Sequence, residues 1–203
     1  SGAVVTKVGG WRYTEPGRID LVFPSSGQAG TRVFINGSNL LLGAERITAV
    51  LLGGTPGVVQ SFNDTVIQLD AARDAGTTGY GDVVIETNTG AFIRRVNGWF
   101  YLDGGDIDRI EPSSGQEGTR VTIGGSSLLG GGSAFASITL NGVPVARIES
   151  ATNSEVIVVA SDSVQVGVGN IRMIADTGAV ISQFNGWRYI AKGIVSSVSP
   201  ASG

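Results

Sequence analysis

The segment Asn97-Gly98-Trp99-Phe100-Tyr101 decides the fold, because its pattern recurs along the chain at a fixed spacing. It returns as Asn185-Gly186-Trp187-Arg188-Tyr189 and, in shorter form, as Gly10-Trp11-Arg12-Tyr13. These segments contain all three tryptophans of the protein, at positions 11, 99 and 187, and each is 88 residues from the next. A fixed period that carries the largest apolar side chain indicates a tandem array of one folding unit.

The segment itself is typical of a strand with one buried face. Trp99 and Tyr101 are two residues apart, so they share a face, which we predict to be the core side. The middle position then points outward, and it is arginine in two copies and Phe100 in the third. We predict that Phe100 is exposed near the junction between units, where it either packs across that junction or is a single surface aromatic.

Each full unit opens with the same order of strand, turn and strand. Residues 24–40 read PSSGQAGTRVFINGSNL, and residues 112–128 read PSSGQEGTRVTIGGSSL. Proline ends the first strand because it has no amide to donate, and glycine allows the dihedral angles of the turn. Val33 and Ile35 share one face of the next strand, so Phe34 is predicted to be exposed on the other.

Alternation and β-branched content predict the later strands. They fall at residues 47–52, 65–69 and 82–87, and again at 135–140, 155–159 and 170–175. Between these strands the spacing of equivalent residues in the two units rises by two, from 88 to 90, and then returns to 88. This aligns Asn63 with Asn153. About seven short strands per unit without helical periodicity predict an all-β chain of two antiparallel, immunoglobulin-like sandwiches.

The period divides the chain into four predicted segments. Residues 1–14 are the last strand of a preceding repeat, 15–102 the first sandwich (unit one), 103–191 the second (unit two), and 192–203 the first strand of a following repeat. A lone strand leaves backbone groups unpaired. We therefore expect residues 1–13 to pair with a neighbouring chain or to belong to a longer array.

The opening motif, Pro-Ser-Ser-Gly-Gln-x-Gly-Thr-Arg-Val-x-Ile-x-Gly-Ser-x-Leu, resembles the start of IPT/TIG domains, an immunoglobulin-like family. Their last strand often carries an aromatic-x-Tyr pattern, as Trp99-Phe100-Tyr101 does. The resemblance implies a fold and no particular chemistry. Members include stalk modules of plexin-type receptors, repeats of large cell-surface proteins, dimerisation domains of Rel-type transcription factors and domains of some starch-acting enzymes. Tandem repetition alone is most similar to the surface arrays, which implies an extracellular or cell-surface location.

Composition argues against several classes of function. The chain has no histidine and no cysteine, so it lacks the usual neutral-pH general base, the commonest transition-metal ligand and any disulfide. A net charge of −3 supplies no basic face for nucleic acid or an anionic membrane. No apolar run approaches the roughly 20 residues of a membrane helix. We predict that the chain is not an enzyme, does not bind nucleic acid and does not insert into a membrane.

Two kinds of candidate site remain. Asp103, Asp106 and Asp108 place three carboxylates within six residues between the units, where they are candidates for calcium. The site does not recur with the repeat, since the junction at residues 13–20 has a proline and an arginine and the one at 190–193 has a lysine. The alternative is a solvated, flexible acidic linker, with no cofactor at all. Asn36 and Asn63 begin N-x-Ser/Thr sequences and are candidate glycosylation sites if the protein is secreted by a eukaryote.

The predicted function is a structural or adhesive repeat of an extracellular array or filament. It acts by stacking of units and by protein–protein contacts, including self-assembly, with Phe34 and Phe100 as candidate contact residues. The alternative is carbohydrate binding, as an adhesin or as an accessory module of a polysaccharide-acting enzyme. That function needs a row of exposed aromatics, which the sequence does not reveal because half of its aromatics belong to the tryptophan motif.

Overall fold

The computed structural model describes residues 2–10, 13, 15–73, 78–200 and 202–203. The described residues of unit one form nine strands: β1 Arg18–Phe23, β2 Ser26–Gly27, β3 Arg32–Ser38, β4 Ile47–Leu52, β5 Thr55–Pro56, β6 Val58–Phe62, β7 Val66–Asp70, β8 Gly79–Thr87 and β9 Phe92–Tyr101. Unit two repeats them in the same order: β10 Asp106–Glu111, β11 Ser114–Gly115, β12 Arg120–Ser126, β13 Phe135–Leu140, β14 Val143–Pro144, β15 Arg147–Ala151, β16 Glu155–Val159, β17 Gly167–Ala175 and β18 Val180–Tyr189. The described residues form no helix that is long and apolar enough to cross a membrane.

Each unit is a sandwich of two sheets. In unit one the strand orders are β1-β3-β7-β6 and β2-β9-β8-β4-β5, and in unit two they are β10-β12-β16-β15 and β11-β18-β17-β13-β14. The strands pair antiparallel, except that the short β2 and β11 lie parallel to β9 and β18. The predicted all-β fold of two immunoglobulin-like sandwiches is confirmed.

The core follows the predicted alternation. Trp99 is fully buried, Tyr101 is 3% exposed, and their rings meet edge to face at 5.6 Å. Trp187 and Tyr189 repeat this contact at the same distance in unit two. Val33 and Ile35, which share the face opposite to Phe34, are completely buried, as are their equivalents Val121 and Ile123 in unit two. The alternating residues of β8 and β17 are also completely buried: Val83, Ile85, Ile171 and Met173. Each unit therefore has its own core, with a tryptophan in the last strand.

Strand bounds differ from the prediction where glycine interrupts the alternation. β4, β13 and β16 have the predicted bounds, whereas β8 and β17 begin three residues earlier, at Gly79 and Gly167. The first residues of β8 pair with the end of β9, and glycine has no side chain by which alternation could reveal this. β7 begins at Val66 and ends at Asp70, one residue later than predicted at each end.

The register slip between the units is one residue rather than two. The Leu40 amide donates to the Asp64 carbonyl, and the Leu128 amide donates to the Asn153 carbonyl. Asp64 therefore corresponds to Asn153, a step of 89, and Asn63 corresponds to Thr152. The predicted alignment of Asn63 with Asn153 was wrong because it matched residue names instead of backbone pairing.

The predicted strands at the two ends are not formed in the described residues. Residues 2–10 and 13 contain one turn, in which the Gly10 amide donates to the Lys7 carbonyl, and residues 192–200 and 202–203 contain no strand. A strand needs a neighbour with which to share hydrogen bonds. Pairing of residues 1–13 with another chain, or their place in a longer array, stays a prediction. Trp11 and Arg12 of the first motif copy lie outside the described residues.

Candidate interface between the two units

The two units contact each other through backbone hydrogen bonds. The Arg32 amide, after the opening turn of unit one, donates to the Thr177 carbonyl at 2.8 Å, and the Val180 amide donates to the Ala29 carbonyl at 3.0 Å. Gly30 and Gly178 face each other between these bonds. A Cβ on Gly30 would lie 2.8 Å from the Gly178 oxygen, so a side chain would separate the two turns.

Gln28 ties the linker between the units to this contact. Its side chain is only 3% exposed, and its Oε1 accepts a hydrogen bond from the Gly105 amide at 2.5 Å. Its Nε2 lies over Gly130, where a Cβ would approach it to 2.6 Å. The Gln28 amide donates to Thr31 Oγ1, which closes the opening turn itself. Burial of a polar group is costly unless it is hydrogen-bonded. The Gly105 bond satisfies Oε1 and holds Gln28 in place, whereas Nε2 is buried without a hydrogen-bond partner.

A second hydrogen bond joins the two loops of unit two that contact unit one. Ser133 Oγ donates to Asp176 Oδ2 at 2.6 Å, which joins the loop that contains Gly130 to the turn that contains Thr177. This hydrogen bond lowers the pKa of the Asp176 carboxyl. Ala179 is completely buried beside the contact, whereas its unit-one equivalent, Ala91, is only half-buried.

The far end of unit two repeats the glutamine hydrogen bond that is found at the interface. Gln116 Oε1 accepts a hydrogen bond from the Gly193 amide at 2.8 Å, 88 residues after the Gln28–Gly105 pair. Lys192 forms ion pairs with Asp162 at 2.6 Å and Glu117 at 3.2 Å, and these hydrogen bonds raise the pKa of its ammonium group. Sequence reasoning missed both glutamines, although their match at the period within a turn was the available signal.

The three carboxylates predicted to bind calcium are not brought together. Asp103 accepts a hydrogen bond from Thr78 Oγ1 at 2.7 Å, while Asp106 and Asp108 lie exposed along β10. Among the described residues, no group of three or more His, Cys, Asp or Glu side chains is arranged to hold a metal ion. Gly105 is held by Gln28 and β10 begins at Asp106. Calcium binding by these three residues stays a prediction.

Phe34 is exposed as predicted, and it has an aromatic neighbour. It is 38% exposed and lies opposite Phe23, which is 65% exposed on β1. The equivalent positions of unit two are Thr122 and Glu111. The role of Phe34 as a contact residue stays a prediction, but this outer surface is aromatic in unit one alone.

Phe100 is half-buried, not exposed. Its ring packs edge to face against Tyr80 of the same unit at 4.8 Å, because the two residues are opposite each other on β8 and β9. Alternation gave the correct outward direction and could not reveal the neighbour that covers the ring. A role for Phe100 as a contact residue is still a prediction.

The Tyr80–Phe100 pair lines a surface groove that sequence reasoning missed. Asn97, Ser25 and Ser26 lie along the same groove, and Tyr80 is 74% exposed. Their side chains form no hydrogen bond with another described residue, so their polar groups are available to a ligand. The sequence signal was small: a tyrosine between two glycines where unit two has Val168.

The two candidate glycosylation sites differ in their surroundings. Asn36 is half-buried in β3, between Leu21 on β1 and Val66 on β7. Asn63 is exposed in the turn before β7, where its Oδ1 accepts hydrogen bonds from the amides of Thr65 and Val66, both at 2.8 Å. Glycosylation of either residue stays a prediction, and Asn63 is the more accessible.

Comparison with known proteins identifies the fold of both units. The family model of the IPT/TIG domain matches residues 18–97 and 106–186. A structure of the full extracellular region of Plexin A4, domains 1 to 10, is 19% identical, with a TM-score of 0.56, over 98% of this chain and 18% of that chain. A second, with domains 1 to 8, is 20% identical, with a TM-score of 0.51, over 94% and 20%.

Another similar structure is SGBP-B of the mixed-linkage glucan utilization locus of Bacteroides ovatus, in complex with a mixed-linkage heptasaccharide. It is 16% identical, with a TM-score of 0.35, over 87% of this chain and 45% of that chain. At these identities the likenesses concern the fold alone. The chain spans about a fifth of the length of the plexin chains. No curated protein sequence matches it.

Proposed function

The chain belongs to the IPT/TIG domain family, and we propose that it is a non-catalytic spacer of a larger extracellular or cell-surface protein, in which units stack end to end at a fixed angle. The observation that carries the proposal is the backbone contact between the units, with Arg32 bonded to Thr177 and Ala29 to Val180. A flexible linker would leave these groups to water. A fixed junction makes the length of an array proportional to its number of units.

The contact is small, which suits units of one chain. The linker from Leu102 to Gly105 is short, and a short tether gives its ends a millimolar effective concentration. Two backbone hydrogen bonds and one buried glutamine then suffice to hold units that would not associate as separate molecules. Leu102 adds an apolar contact at Gly131.

The adhesive part of the proposal rests on the outer surface of unit one. Leu21, Phe23 and Phe34 are exposed there on neighbouring strands. Unit two has Arg109 and Glu111 in place of Leu21 and Phe23, joined by an ion pair. We propose that the apolar surface of unit one makes the protein–protein contacts, including self-assembly, while unit two remains solvated.

Replacing Gln28 with alanine is expected to loosen the junction without unfolding either unit, because Gly105 then loses its partner. The chain has no cysteine, so spin labels on Ser61→Cys and Ser150→Cys report the distance between the units. We expect one narrow distance distribution for the parent and at least twice its width for Gln28→Ala. Gln116→Ala is the matched control, since this equivalent residue lies at the far end. A broad distribution in the parent would contradict a fixed junction.

A second candidate function is carbohydrate binding, and the Tyr80–Phe100 groove is the observation that favours it. An exposed tyrosine ring offers a flat apolar surface to the C–H face of a sugar. The free amide of Asn97 and the hydroxyl groups of Ser25 and Ser26 beside it can bond to sugar hydroxyls. Only unit one has this arrangement, since the tyrosine is Val168 in unit two.

A glycan array tests this second function with the intact chain. If a glycan binds in the groove, Tyr80→Ala is expected to weaken binding at least tenfold, because the stacking ring is lost. Phe92→Ala is the control, since it removes a 65% exposed ring that does not line the groove. Equal losses in the two variants, or no bound glycan on the array, would argue against this function.

A further inference from the structure

We infer that the residue at the position of Gly130 determines which unit can follow another, and that the far end of unit two is a docking surface for a unit with glycine there. The inference rests on the proposed stacking of units and adds its specificity. The surface consists of Gln116, Glu117, Gly118 and Arg120. The partner it fits is a further immunoglobulin-like unit with a Thr-Gly turn and that glycine.

A side chain on Gly130 would meet atoms of both units. Gly130 is buried, and a Cβ would lie 2.6 Å from Gln28 Nε2 and 2.5 Å from the Ala179 Cβ. Gln28 cannot turn away freely, because its Oε1 is bonded to the Gly105 amide and the side chain is 3% exposed. A larger residue here would push the two units apart.

Unit one carries a leucine at the same position of the same turn. Leu42 has a φ of 52° and its amide donates to the Asn39 carbonyl, while Gly130 has a φ of 58° and its amide donates to the Ser127 carbonyl. The backbone of the turn therefore accepts a side chain. Leu42 is half-buried and packs on the core of unit one, where a docking glutamine would meet it.

The far end of unit two matches the docked end of unit one. Gln116 already holds Gly193, as Gln28 holds Gly105. A Cβ on Gly118 would meet no atom within 4 Å, whereas one on the equivalent Gly30 would meet unit two. Gly118 has a φ of +80°, close to the +87° of Gly30, so the turn has its docked shape and no described residue covers it.

The two ends of this chain are consequently not complementary. The far end of unit two presents a glutamine that requires glycine, and the leading end of unit one presents Leu42. A copy of unit two fits behind unit two, whereas a copy of unit one does not. The order of units in an array is then set by one side chain at each junction.

The test extends the chain past residue 192 with a third unit. One version appends a second copy of residues 105–191, another appends residues 17–102, and a third appends residues 17–102 with Leu42→Gly. Spin labels on unit two and on the appended unit report the width of their distance distribution, and thermal unfolding checks that each appended unit folds. We expect a narrow distribution for the unit-two copy, at least twice that width for the unit-one copy, and narrowing again with Leu42→Gly.

A companion variant addresses the existing junction. Gly130→Leu is expected to broaden the distance distribution between units one and two at least twofold while unit two stays folded. Equal widths for the appended unit-one and unit-two copies, with the existing junction narrow, would overturn the inference and leave the spacer proposal standing. A broad distribution at the existing junction of the unaltered chain would instead refute the spacer proposal.

Discussion

Replacing Trp99 with alanine is expected to lower the free energy of unfolding of unit one by about 3–5 kcal/mol. Trp99 is completely buried, and its ring lies edge to face with Tyr101 in a core formed by both sheets. Removing it takes a large apolar side chain from the core and leaves a cavity that β-strands on both sides cannot fill by moving. Urea unfolding followed by circular dichroism measures the change, since the substitution removes the tryptophan whose fluorescence would report on the core of unit one.

Phe34→Ala is the control for this prediction, because Phe34 is an aromatic residue of the same sandwich that is 38% exposed. We expect it to cost about 1 kcal/mol or less, since a surface side chain leaves no cavity. Trp187→Ala should repeat the large loss in unit two, where the same ring contact occurs. A loss well under about 1 kcal/mol for Trp99→Ala would mean that the tryptophan does not anchor the core.

The sequence predicted the fold because the evidence for the fold is local. Inward residues alternate with outward ones in the strands of Trp99, Tyr101, Val33 and Ile35. This period of two can be recognised within a single strand, without knowledge of its neighbours. The 88-residue repeat then doubled the evidence for each strand. Glycine was the exception, since Gly79 extends β8 without contributing to any alternation.

The interface was not predictable because it depends on a second unit. Gln28 is a polar residue in a turn, and such a residue is usually solvated. Gln28 is buried at the junction, whereas the equivalent Gln116 at the far end is half-buried. A Cβ on Gly130 would meet Gln28 as well as Ala179. Tyr80 on β8 was missed for the same reason, since the groove that it lines depends on the ring of Phe100 on β9. Asp103 shows the opposite case, because it lies close to two other carboxylates along the chain and, among the described residues, is not grouped with them in the structure.

One further glycine in each unit is required by backbone packing. Gly37 in β3 lies where β1 pairs irregularly between Ile19 and Leu21. A Cβ on Gly37 would collide with the Arg18 carbonyl oxygen and lie 2.7 Å from Leu40 Cδ2. The Arg18 carbonyl oxygen is a backbone atom of the paired strand β1, so it cannot move away without loss of strand pairing. Gly125 occupies the equivalent position in unit two and faces the Asp106 carbonyl and Leu128.

Gly37→Ala is therefore expected to destabilise unit one by about 1–3 kcal/mol, the range for overpacking a filled interior, and Gly125→Ala should do the same to unit two. Gly193→Ala is the control, because a Cβ there meets no atom within 4 Å, and we expect a change within about 0.5 kcal/mol. Urea unfolding measures all three variants. If Gly37→Ala were as stable as the parent, β1 would have room to move away from β3. The irregular pairing would then be a flexible feature of the sheet and not one fixed by the close approach of two backbones.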